Sequence, residues 1–474
     1  MRILEIGIIV LNLPALLGSV LYSGLRPKWL RWLPLITLLI VLLHFLVEGY
    51  RWQMITAYFV SGVLFMSSLW AMIRRSSQSL QTSHRWLALI TNVAGIVLLC
   101  LSAILSILLP VFSLPTPTGP HSIGTVTYHW VDHTRPEIFT DDTTDVREIM
   151  VQIWYPAEHV SGRKPVSYWG RASKTIGRAQ ANILGLPEFI FDHISLVTTH
   201  SYQNAQILMK KSHFPVIIYS HGYGGNMNYS TFNVEELASH GYVVISINHT
   251  YDAFVTIFPD ARRVIMKDKQ FQYPDVSIHS KEEIEALRKK GDPLYERMTD
   301  VLFVLDRIEW LNANSSSSPF VNQLDLSRIG AVGYSYGASS VYDALGRDNR
   351  IKAVVYLDGG TLTSSVKRPS MYIYHESYGK QQERTGAFQS LASDCYVLSI
   401  AGTTHSNFAE GVLITPLKSA TGAGSIQPQR TFRIVNDYTL AFFDKYLYNQ
   451  EAFLLDRLMP VHSEVTFLTS NDFY

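Results

Sequence analysis

This sequence contains few cysteines and carries almost no net charge. Its 474 residues include two cysteines, Cys100 and Cys395, and its formal net charge at pH 7 is +1. One cysteine lies in an apolar run and the other at the start of a predicted strand, so no disulfide framework is expected. A nucleic-acid partner is not expected either, because binding to a polyanion calls for a strong excess of basic residues.

The sequence also lacks several motifs that hold metals or phosphates. The H-E-x-x-H, C-x-x-C and Walker A patterns do not occur, and the histidines are scattered along the chain. We therefore expect neither a bound metal nor a cofactor. Any chemistry must then come from side chains and main-chain groups alone.

Four apolar runs, at residues 3–22, 33–47, 54–73 and 86–109, fill the beginning of the chain. Each is close to the ~20 residues that a helix needs to cross ~30 Å of hydrocarbon. Tryptophans at the edges of the runs support this interpretation, because amphipathic rings favour the membrane interface. We predict a four-span transmembrane anchor over residues 1–112. A signal peptide followed by buried core helices is the alternative.

Basic residues lie between these runs. The connections after the first and third runs carry Arg26, Lys28 and Arg31, then Arg74, Arg75 and Arg85. The positive-inside rule puts both connections in the cytoplasm, so the chain is predicted to be a multi-pass cell-membrane protein whose remainder is extracytoplasmic. We expect no cluster of charges within the runs, which favours an anchor over a transporter.

A proline-rich linker, residues 113–120, leads to the remainder of the chain, residues 121–474. There, continuous apolar strands alternate with helical patterns, which indicates a mainly parallel sheet with helices on both faces. Residues 147–155 alternate polar and apolar side chains, as in a half-buried strand at a sheet edge. We also predict a flap at residues 161–213, a charged helix at 281–290 and the last strand at 396–400.

A serine lies at the junction of a predicted strand and helix. Residues 329–332 are apolar, the G-x-S-x-G pattern Gly333-Tyr334-Ser335-Tyr336-Gly337 follows, and small helix-compatible residues come next. In this context the pattern predicts a nucleophile elbow of an α/β-hydrolase, with the serine exposed at the edge of the sheet. Serine needs a base to become a nucleophile.

An acid and a base follow Ser335 in the chain order that this fold uses. Asp358 comes directly after the apolar residues 351–357, where it would orient an imidazole. His405 lies in the loop after the last predicted strand and is the predicted base. His375, one strand earlier, is the second candidate for the base. An ordinary Asp-Gly turn and a surface histidine are the structural alternatives.

Backbone N–H groups for an oxyanion hole are expected at two places. One belongs to Tyr336, directly after the nucleophile. The other is expected from Tyr223 in the His-Gly-x-Gly segment that follows an early strand, although a simple glycine turn would look the same. His221, which begins this segment, is interpreted as a structural residue that packs beneath the loop.

Three blocks of the remainder together resemble the platelet-activating-factor acetylhydrolase family of α/β-hydrolases. Residues 215–249 are similar to its segment of apolar strand, S-H-G-x-G and a second strand that ends in histidine. Residues 333–337 fit its elbow, usually G-H-S-F-G, and residues 405–408 look like its H-x-x-F block. Tyr334 departs from the family pattern, because it replaces a histidine. The membrane unit is not part of the well-known secreted members.

The resemblance implies hydrolysis of short or oxidised acyl esters on phospholipids, without calcium or any cofactor. The expected partners are a phospholipid-like ester and the lipid bilayer. Carboxylesterases and polyester or dienelactone hydrolases share the same blocks and are alternatives. A catalytically dead membrane receptor or scaffold is an alternative of another class. The apolar side chains among residues 254–258 either line an acyl pocket or fill the core.

Overall fold

The computed structural model describes residues 1–21, 28–74, 82–209, 213–267, 282, 286, 291–314, 318–360, 368–385, 394–455 and 460–468. The chain forms two compact units. One comprises Met1–Phe112 with Leu413–Ala420, and the other Ser113–Val412 with Thr421–Tyr474. The charged helix predicted at residues 281–290 lies almost wholly outside the described residues.

Four long helices make up most of the first unit: Ile3–Leu21, Leu33–Val47, Ile55–Arg74 and Thr82–Leu108. Each overlaps one of the predicted apolar runs. Two segments, Trp52–Ile73 and Leu89–Leu108, are long and apolar enough to cross a membrane, whereas the other two helices are apolar but shorter. Large apolar side chains on these helices are exposed, for example Phe59 at 63% and Ile90 at 62%. Exposed apolar surface of this kind marks contact with lipid or with another protein.

Charged side chains cluster at the ends of the apolar runs: Glu5 lies within a run, whereas Arg2 and Arg51 lie just outside the runs. Glu5 is fully buried and accepts 2.9 Å hydrogen bonds from Arg51 and Arg2. Arg51 also donates to the carbonyl of Ser106 at 3.0 Å, and Arg2 donates to the carbonyl of Glu48. Both arginines thus lie at C-terminal helix ends, where the helix dipole favours a positive charge. The sequence conceals the cluster because its members are far apart along the chain.

Among the described residues, an eleven-stranded mixed sheet forms the centre of the second unit, and two short strands pair separately. In chain order the strands are β1 (Ser122–Pro136), β2 (Val146–Glu158), β3 (Ser201–Gln203), β4 (Gln206–Ile207), β5 (Phe214–Ser220), β6 (Val243–Asn248), β7 (Val255–Ile257), β8 (Arg263–Ile265), β9 (Leu324–Tyr334), β10 (Ile351–Leu357), β11 (Ser370–His375), β12 (Cys395–Ile400) and β13 (Val465–Phe467).

The centre of the sheet is parallel, as predicted. The order is β13-β12-β11-β10-β9-β5-β6-β2-β1-β3, with β4 beside β2 and the pair β7-β8 apart. Every pair from β12 to β6 in this order is parallel, whereas β2 pairs antiparallel with both β6 and β1. Parallel strands end at the same edge of a sheet, and ligands of such sheets bind there.

Two predictions about the edges of the sheet are wrong. The strand expected at an edge is β2, which lies between β1 and β6 and is buried along nearly its whole length. The strand expected to be the last is β12, but β13 pairs with it on the outside. Alternation within one strand reports which of its faces are buried. It does not report which strands lie beside it, and β6 pairs with β2 from almost 100 residues further along the chain.

Helices cover both faces of the sheet. Ala331 of β9 belongs to the same buried cluster as Val301 of one helix, whereas Gly330 of β9 lies against Phe443 of another. Consecutive strand residues point to opposite faces, so these two helices lie on opposite sides. The longer helices of this unit are Ser173–Ile183, Thr231–Ser239, Pro293–Asn314, Tyr336–Leu345, Glu376–Thr385 and Pro428–Leu447.

The segment predicted as a flap has regular structure of its own. It contains the helix Ser173–Ile183, the 3-10 helix Glu188–Leu196 and the strands β3 and β4. β3 pairs with β1, and β4 pairs with β2. Part of this segment therefore extends the sheet and does not form a separate flap.

Candidate active site

Ser335 lies on a tight turn between β9 and the helix Tyr336–Leu345. Its backbone has φ 52° and ψ −118°, and positive φ is uncommon for residues other than glycine. Glycines make the turn possible. A Cβ on Gly333 would lie 2.4 Å from the carbonyl oxygen of Gly337, and one on Gly337 would lie 2.1 Å from that of Ser220. The strained turn is the geometry of a nucleophile elbow.

The structure brings the three predicted triad residues together. Ser335 Oγ lies 2.8 Å from His405 Nε2, and His405 Nδ1 lies 2.5 Å from Asp358 Oδ2. The residues follow β9, β10 and β12, whose carboxyl ends share one edge of the sheet. A neutral His405 that donates from Nδ1 offers Nε2 as an acceptor to the serine hydroxyl, which is the arrangement of a general base.

Asp358 is a buried carboxylate surrounded by hydrogen-bond donors. Besides His405, the backbone N–H and Nδ1 of His375 each donate to it at 2.7 Å. Its own N–H donates to the carbonyl of Ile373 at 2.8 Å, which fixes the turn after β10. Burial by itself would raise the pKa of Asp358, but the hydrogen bonds from His375 and His405 outweigh burial and lower that pKa. Asp358 is therefore ionised, the form that stabilises an imidazolium.

Hydrogen bonds within its own loop hold His405 in place. Thr404 and Asn407 form a capping box, and Asn407 Oδ1 also accepts from the N–H of Gly424 at 2.8 Å. Tyr334 stacks on the imidazole with ring centroids 5.2 Å apart, and its hydroxyl donates to the carbonyl of His405 at 2.9 Å. The His405 side chain is still 47% exposed, so a substrate can reach it.

Tyr223 and Tyr336, the predicted oxyanion-hole residues, flank Ser335. Tyr336 begins the helix that follows the serine. A Cβ on Gly222 would lie 3.2 Å from Ser335 Cβ, so the loop after β5 passes directly against the serine. The rings of Tyr223 and Tyr336 meet edge to face, with centroids 6.2 Å apart. An oxyanion hole needs two main-chain segments next to the nucleophile in this way.

A buried arginine supports the loop after β5. Arg297 donates to the carbonyl of His221 and to Ser220 Oγ, and it forms a 3.0 Å ion pair with Asp252. Its guanidinium also lies over the ring of Tyr336, 5.0 Å from the centroid. One cation therefore ties this loop to the helix that follows Ser335.

His221 and His249 lie beneath the same loop and are fully buried. Burial, followed by the positive charge of Arg297, lowers the pKa of His221 well below its usual range and that of His249 to about 3. Neutral His249 donates from Nδ1 to Asp300 and accepts at Nε2 from Ser220, each at 2.9 Å. Neutral His221 donates from Nδ1 to the carbonyl of Gly222 at 2.7 Å and accepts the N–H of His249 at Nε2 at 3.4 Å, which agrees with the structural role expected for it.

A cavity of about 570 Å³ lies in the second unit. Val255, Ile257 and Phe258 line it, together with Trp169 and several amide side chains. Phe254 instead packs its buried ring against Trp169. Phe254 therefore fills the core. None of Ser335, Asp358 and His405 lines the cavity, so the acyl-pocket interpretation of the other three side chains stays a prediction.

His375 is the residue that the sequence places least well. The sequence makes it the second candidate for the base, but its ring contacts Asp358. The signal was available, because His375 ends β11, and β11 pairs in parallel with β10, which leads into Asp358. Ligand atoms of Asp358, His375 and His405 lie within 4.8 Å of one another, the spacing of a metal site. The hydrogen bonds already account for this grouping, and we assign no metal to it.

Comparison of this sequence with known proteins gives matches to one family of ester hydrolases. The model of the family described as platelet-activating factor acetylhydrolase, isoform II, matches residues 109–457. The platelet-activating factor acetylhydrolase of Cavia porcellus is 26% identical over 255 residues, 49% of this chain and 58% of that protein. The probable 1-alkyl-2-acetylglycerophosphocholine esterase of Arthroderma benhamiae is 23% identical over 401 residues, 75% of this chain and 94% of that protein.

A solved structure supports the fold. The ferulic acid esterase from Streptomyces cinnamoneus matches with a TM-score of 0.60 and 26% identity, over 76% of this chain and 99% of that chain. The family match covers more than half of the present chain and includes Ser335, Asp358 and His405. The chain therefore belongs to the platelet-activating factor acetylhydrolase isoform II family and has the α/β-hydrolase fold.

Proposed function

We propose that this chain is a serine ester hydrolase that releases short acyl groups from phospholipid-like esters. The family and the fungal relative are named for acetyl ester hydrolysis, and the structural neighbour is an esterase. The chain is accordingly a carboxylic ester hydrolase. Its specific substrate and its catalytic residues are the parts that need experiment.

The observation that carries this proposal is the hydrogen-bond chain from Ser335 through His405 to Asp358. Its two links measure 2.8 and 2.5 Å, so the serine hydroxyl can pass its proton to His405 without rearrangement. Asp358 holds the tautomer of His405 that accepts this proton and then stabilises the imidazolium.

In the proposed reaction, Ser335 Oγ attacks the ester carbonyl carbon while His405 accepts the hydroxyl proton. The N–H groups of Tyr223 and Tyr336 stabilise the negative oxygen of the tetrahedral intermediate. His405 gives the proton to the departing alcohol, which leaves the acyl group on Ser335. A water molecule, deprotonated by His405, hydrolyses this ester and restores the serine.

Two kinds of ester fit the site. A phospholipid-like ester is favoured by the family and by the two helices that are long and apolar enough to cross a membrane. A carboxylic ester without a lipid is the second candidate, because the structural neighbour is a ferulic acid esterase. Both would use the same serine chemistry and differ only in the groups that contact the substrate.

A substrate panel tests the proposal. Full-length wild type in detergent should cleave a short-acyl phosphatidylcholine faster than a water-soluble acetate or a hydroxycinnamate ester. Ser335→Ala should lower kcat by at least ~10⁴-fold. A fluorophosphonate probe should label wild type and not Ser335→Ala. Ser327→Ala, at an exposed serine of the strand that leads to the elbow, is the matched control and should keep both properties.

Two results would contradict the proposal in different ways. Cleavage of the water-soluble or hydroxycinnamate ester alone would exclude the phospholipid substrate but would not contradict the proposed triad. A folded wild-type protein that neither turns over any ester nor reacts with the probe would favour a dead hydrolase that serves as a receptor or scaffold.

We propose further that residues 1–112 anchor the enzyme through four membrane spans, with residues 121–474 outside the cytoplasm. Arg51 bonds to both Glu5 and the carbonyl of Ser106, so the starts of the first and third helices lie near the end of the fourth. Such an up-and-down arrangement supports an even number of crossings. Protease added to intact cells should then digest the hydrolase part. If this part were protected until the cells are permeabilised, the orientation would be the opposite of the one proposed.

A further inference from the structure

We infer that Glu410 is a positioning residue, which holds the loop of the base His405 at a fixed distance from the loop after β5. The inference rests on the proposed triad. Glu410 follows His405 by five residues and is fully buried. It takes no part in the proposed reaction. Burial of a carboxyl group is costly unless the group is hydrogen-bonded, so its contacts indicate what it does there.

The carboxyl group of Glu410 connects its own loop with two other segments. Oε1 accepts the main-chain N–H of Phe232 at 2.7 Å, and Oε2 accepts the hydroxyl of Tyr168 at 3.2 Å. Phe232 lies in the first turn of the helix Thr231–Ser239, which follows the loop after β5. Tyr168 lies in the segment predicted as a flap. One side chain thus joins the loop of the base to the segment that leads on from Tyr223.

The N–H of Phe232 depends on this acceptor. The first N–H groups of a helix have no partner within the helix. Ser230, the N-cap residue, forms no side-chain cap hydrogen bond. Glu410 supplies such a bond from a distant loop, and an acidic side chain suits the positive end of the helix dipole. Without Glu410 a buried N–H loses its acceptor, which makes the contact costly to break.

Phe232 is a firm point of attachment. Its ring stacks on Phe432 with centroids 4.2 Å apart, and its carbonyl accepts a 3.1 Å hydrogen bond from Asn436. Both partners belong to the helix Pro428–Leu447, which covers one face of the sheet. A contact with Phe232 therefore ties the loop of His405 to the framework of the hydrolase unit.

The loop of His405 is fixed at two ends. At its start, Thr403 donates to the carbonyl of Ile400, the last residue of β12, at 2.6 Å. At its far end lies Glu410, which begins the next 3-10 helix. When the bonds of Glu410 are lost, His405 can shift with respect to Ser335. A shift of ~1 Å in a reacting group can lower the rate about 10²-fold, so a residue that only positions the base can affect turnover strongly.

The test compares kcat and KM of Glu410→Met with those of wild type. Methionine has a similar length but offers no acceptor oxygen to Phe232 or Tyr168. We expect kcat per active site to fall at least ~10-fold, with KM within about twofold, because the base is displaced whereas the groups that bind the ester remain. The assay uses the full-length protein in detergent, the preferred ester of the substrate panel and a temperature well below the thermal midpoint. Fluorophosphonate labelling carried to completion counts the sites.

Glu236→Met is the matched control. Glu236 is 3% exposed, lies on the same helix as Phe232 and likewise accepts a main-chain N–H and a hydroxyl, both from Thr118 of the proline-rich linker. This variant should lose thermal stability, as Glu410→Met does, but keep kcat per site within about twofold of wild type. Glu410→Gln retains an acceptor oxygen and should restore kcat to within about threefold of wild type.

Unchanged kcat in Glu410→Met would overturn the inference, as would an equal loss of kcat in Glu236→Met or in Glu410→Gln. If Glu410→Met does not fold, Tyr168→Phe decides. It removes one hydrogen bond to Glu410 and keeps the ring, so kcat should fall about threefold, and an unchanged kcat would overturn the inference. Activity that survives in Ser335→Ala would instead contradict the proposed triad, and this inference with it.

Discussion

Tyr334 holds His405 by two contacts at once. Its ring stacks on the imidazole at 5.2 Å, and its hydroxyl donates to the main-chain carbonyl of His405 at 2.9 Å. Tyr334 immediately precedes the nucleophile, at a position where the family pattern has histidine. The strand that leads into Ser335 thereby also positions His405, the proposed base.

Tyr334→Phe should lower kcat by about fivefold with little change in KM. The stacked ring remains, but the hydrogen bond, worth ~1 kcal/mol, is lost and the base becomes less well placed. Steady-state kinetics on the preferred ester checks this. Tyr448→Phe is the control, because it removes a tyrosine hydrogen bond to a main-chain carbonyl of the same 2.9 Å length, at Gly241. Equal effects of both variants would deny Tyr334 any particular role in positioning.

Arg297→Met should destabilise the hydrolase unit strongly. Arg297 is buried and pairs with Asp252, and its loss leaves that carboxylate buried without its cation, at a cost of ~3–5 kcal/mol. The thermal midpoint of the full-length protein in detergent should fall by roughly 5–10 °C. Arg262→Met, at a salt bridge to Glu148 that is half exposed on the arginine side, should cost less than ~1 kcal/mol. Similar midpoints for the two variants would refute the argument.

Gly337→Ala should abolish activity. The added Cβ would lie 2.1 Å from the carbonyl oxygen of Ser220, so either the elbow or the loop after β5 must move. Loss of fluorophosphonate labelling at Ser335 would report the displaced nucleophile. Gly411→Ala is the control, because a Cβ there meets nothing within 4 Å. A labelled, active Gly337→Ala protein would show that the close approach is dispensable.

Glu410 should make stability fall as the pH rises. Burial raises the pKa of Glu410 to about 8, although it accepts a 2.7 Å hydrogen bond from the N–H of Phe232. A glutamate in the unfolded chain ionises near pH ~4.3, so between that pH and about 8 the folded state binds the extra proton. Over this window the free energy of unfolding falls by up to ~1.4 kcal/mol per pH unit, and above it the loss is complete.

The Glu410→Gln variant tests the direction of this pH dependence of stability. The variant cannot ionise, so its thermal midpoint should approach that of wild type near pH 5 and exceed it increasingly toward pH 8. Measurements from pH 5 to 9 on both proteins give the difference directly. Parallel curves would mean that Glu410 is already ionised in the folded protein at low pH, and that its hydrogen bonds outweigh burial.

The sequence predicts the centre of the fold well because short-range patterns are enough there. Apolar runs beside Gly333 and Gly337 predict a strand, a tight turn and a helix, and these are the elements on either side of Ser335. Asp358 and His405 are found from chain order, since parallel strands end at one edge. The sheet edges fail for the opposite reason. β13 pairs with β12, and β6 pairs with β2, across long stretches of the chain.

By itself, then, the sequence determined the resemblance to the family, the parallel α/β order and the candidates Ser335, Asp358 and His405, because these depend on local motifs, hydrophobic patterns and spacing. The tertiary structure alone decided what surrounds them. It placed His375 against the Asp358 carboxylate, Tyr334 on His405 and Arg297 beneath the loop after β5. Such contacts join residues from different strands and helices, and the distances between those residues exist only once the sheet has formed.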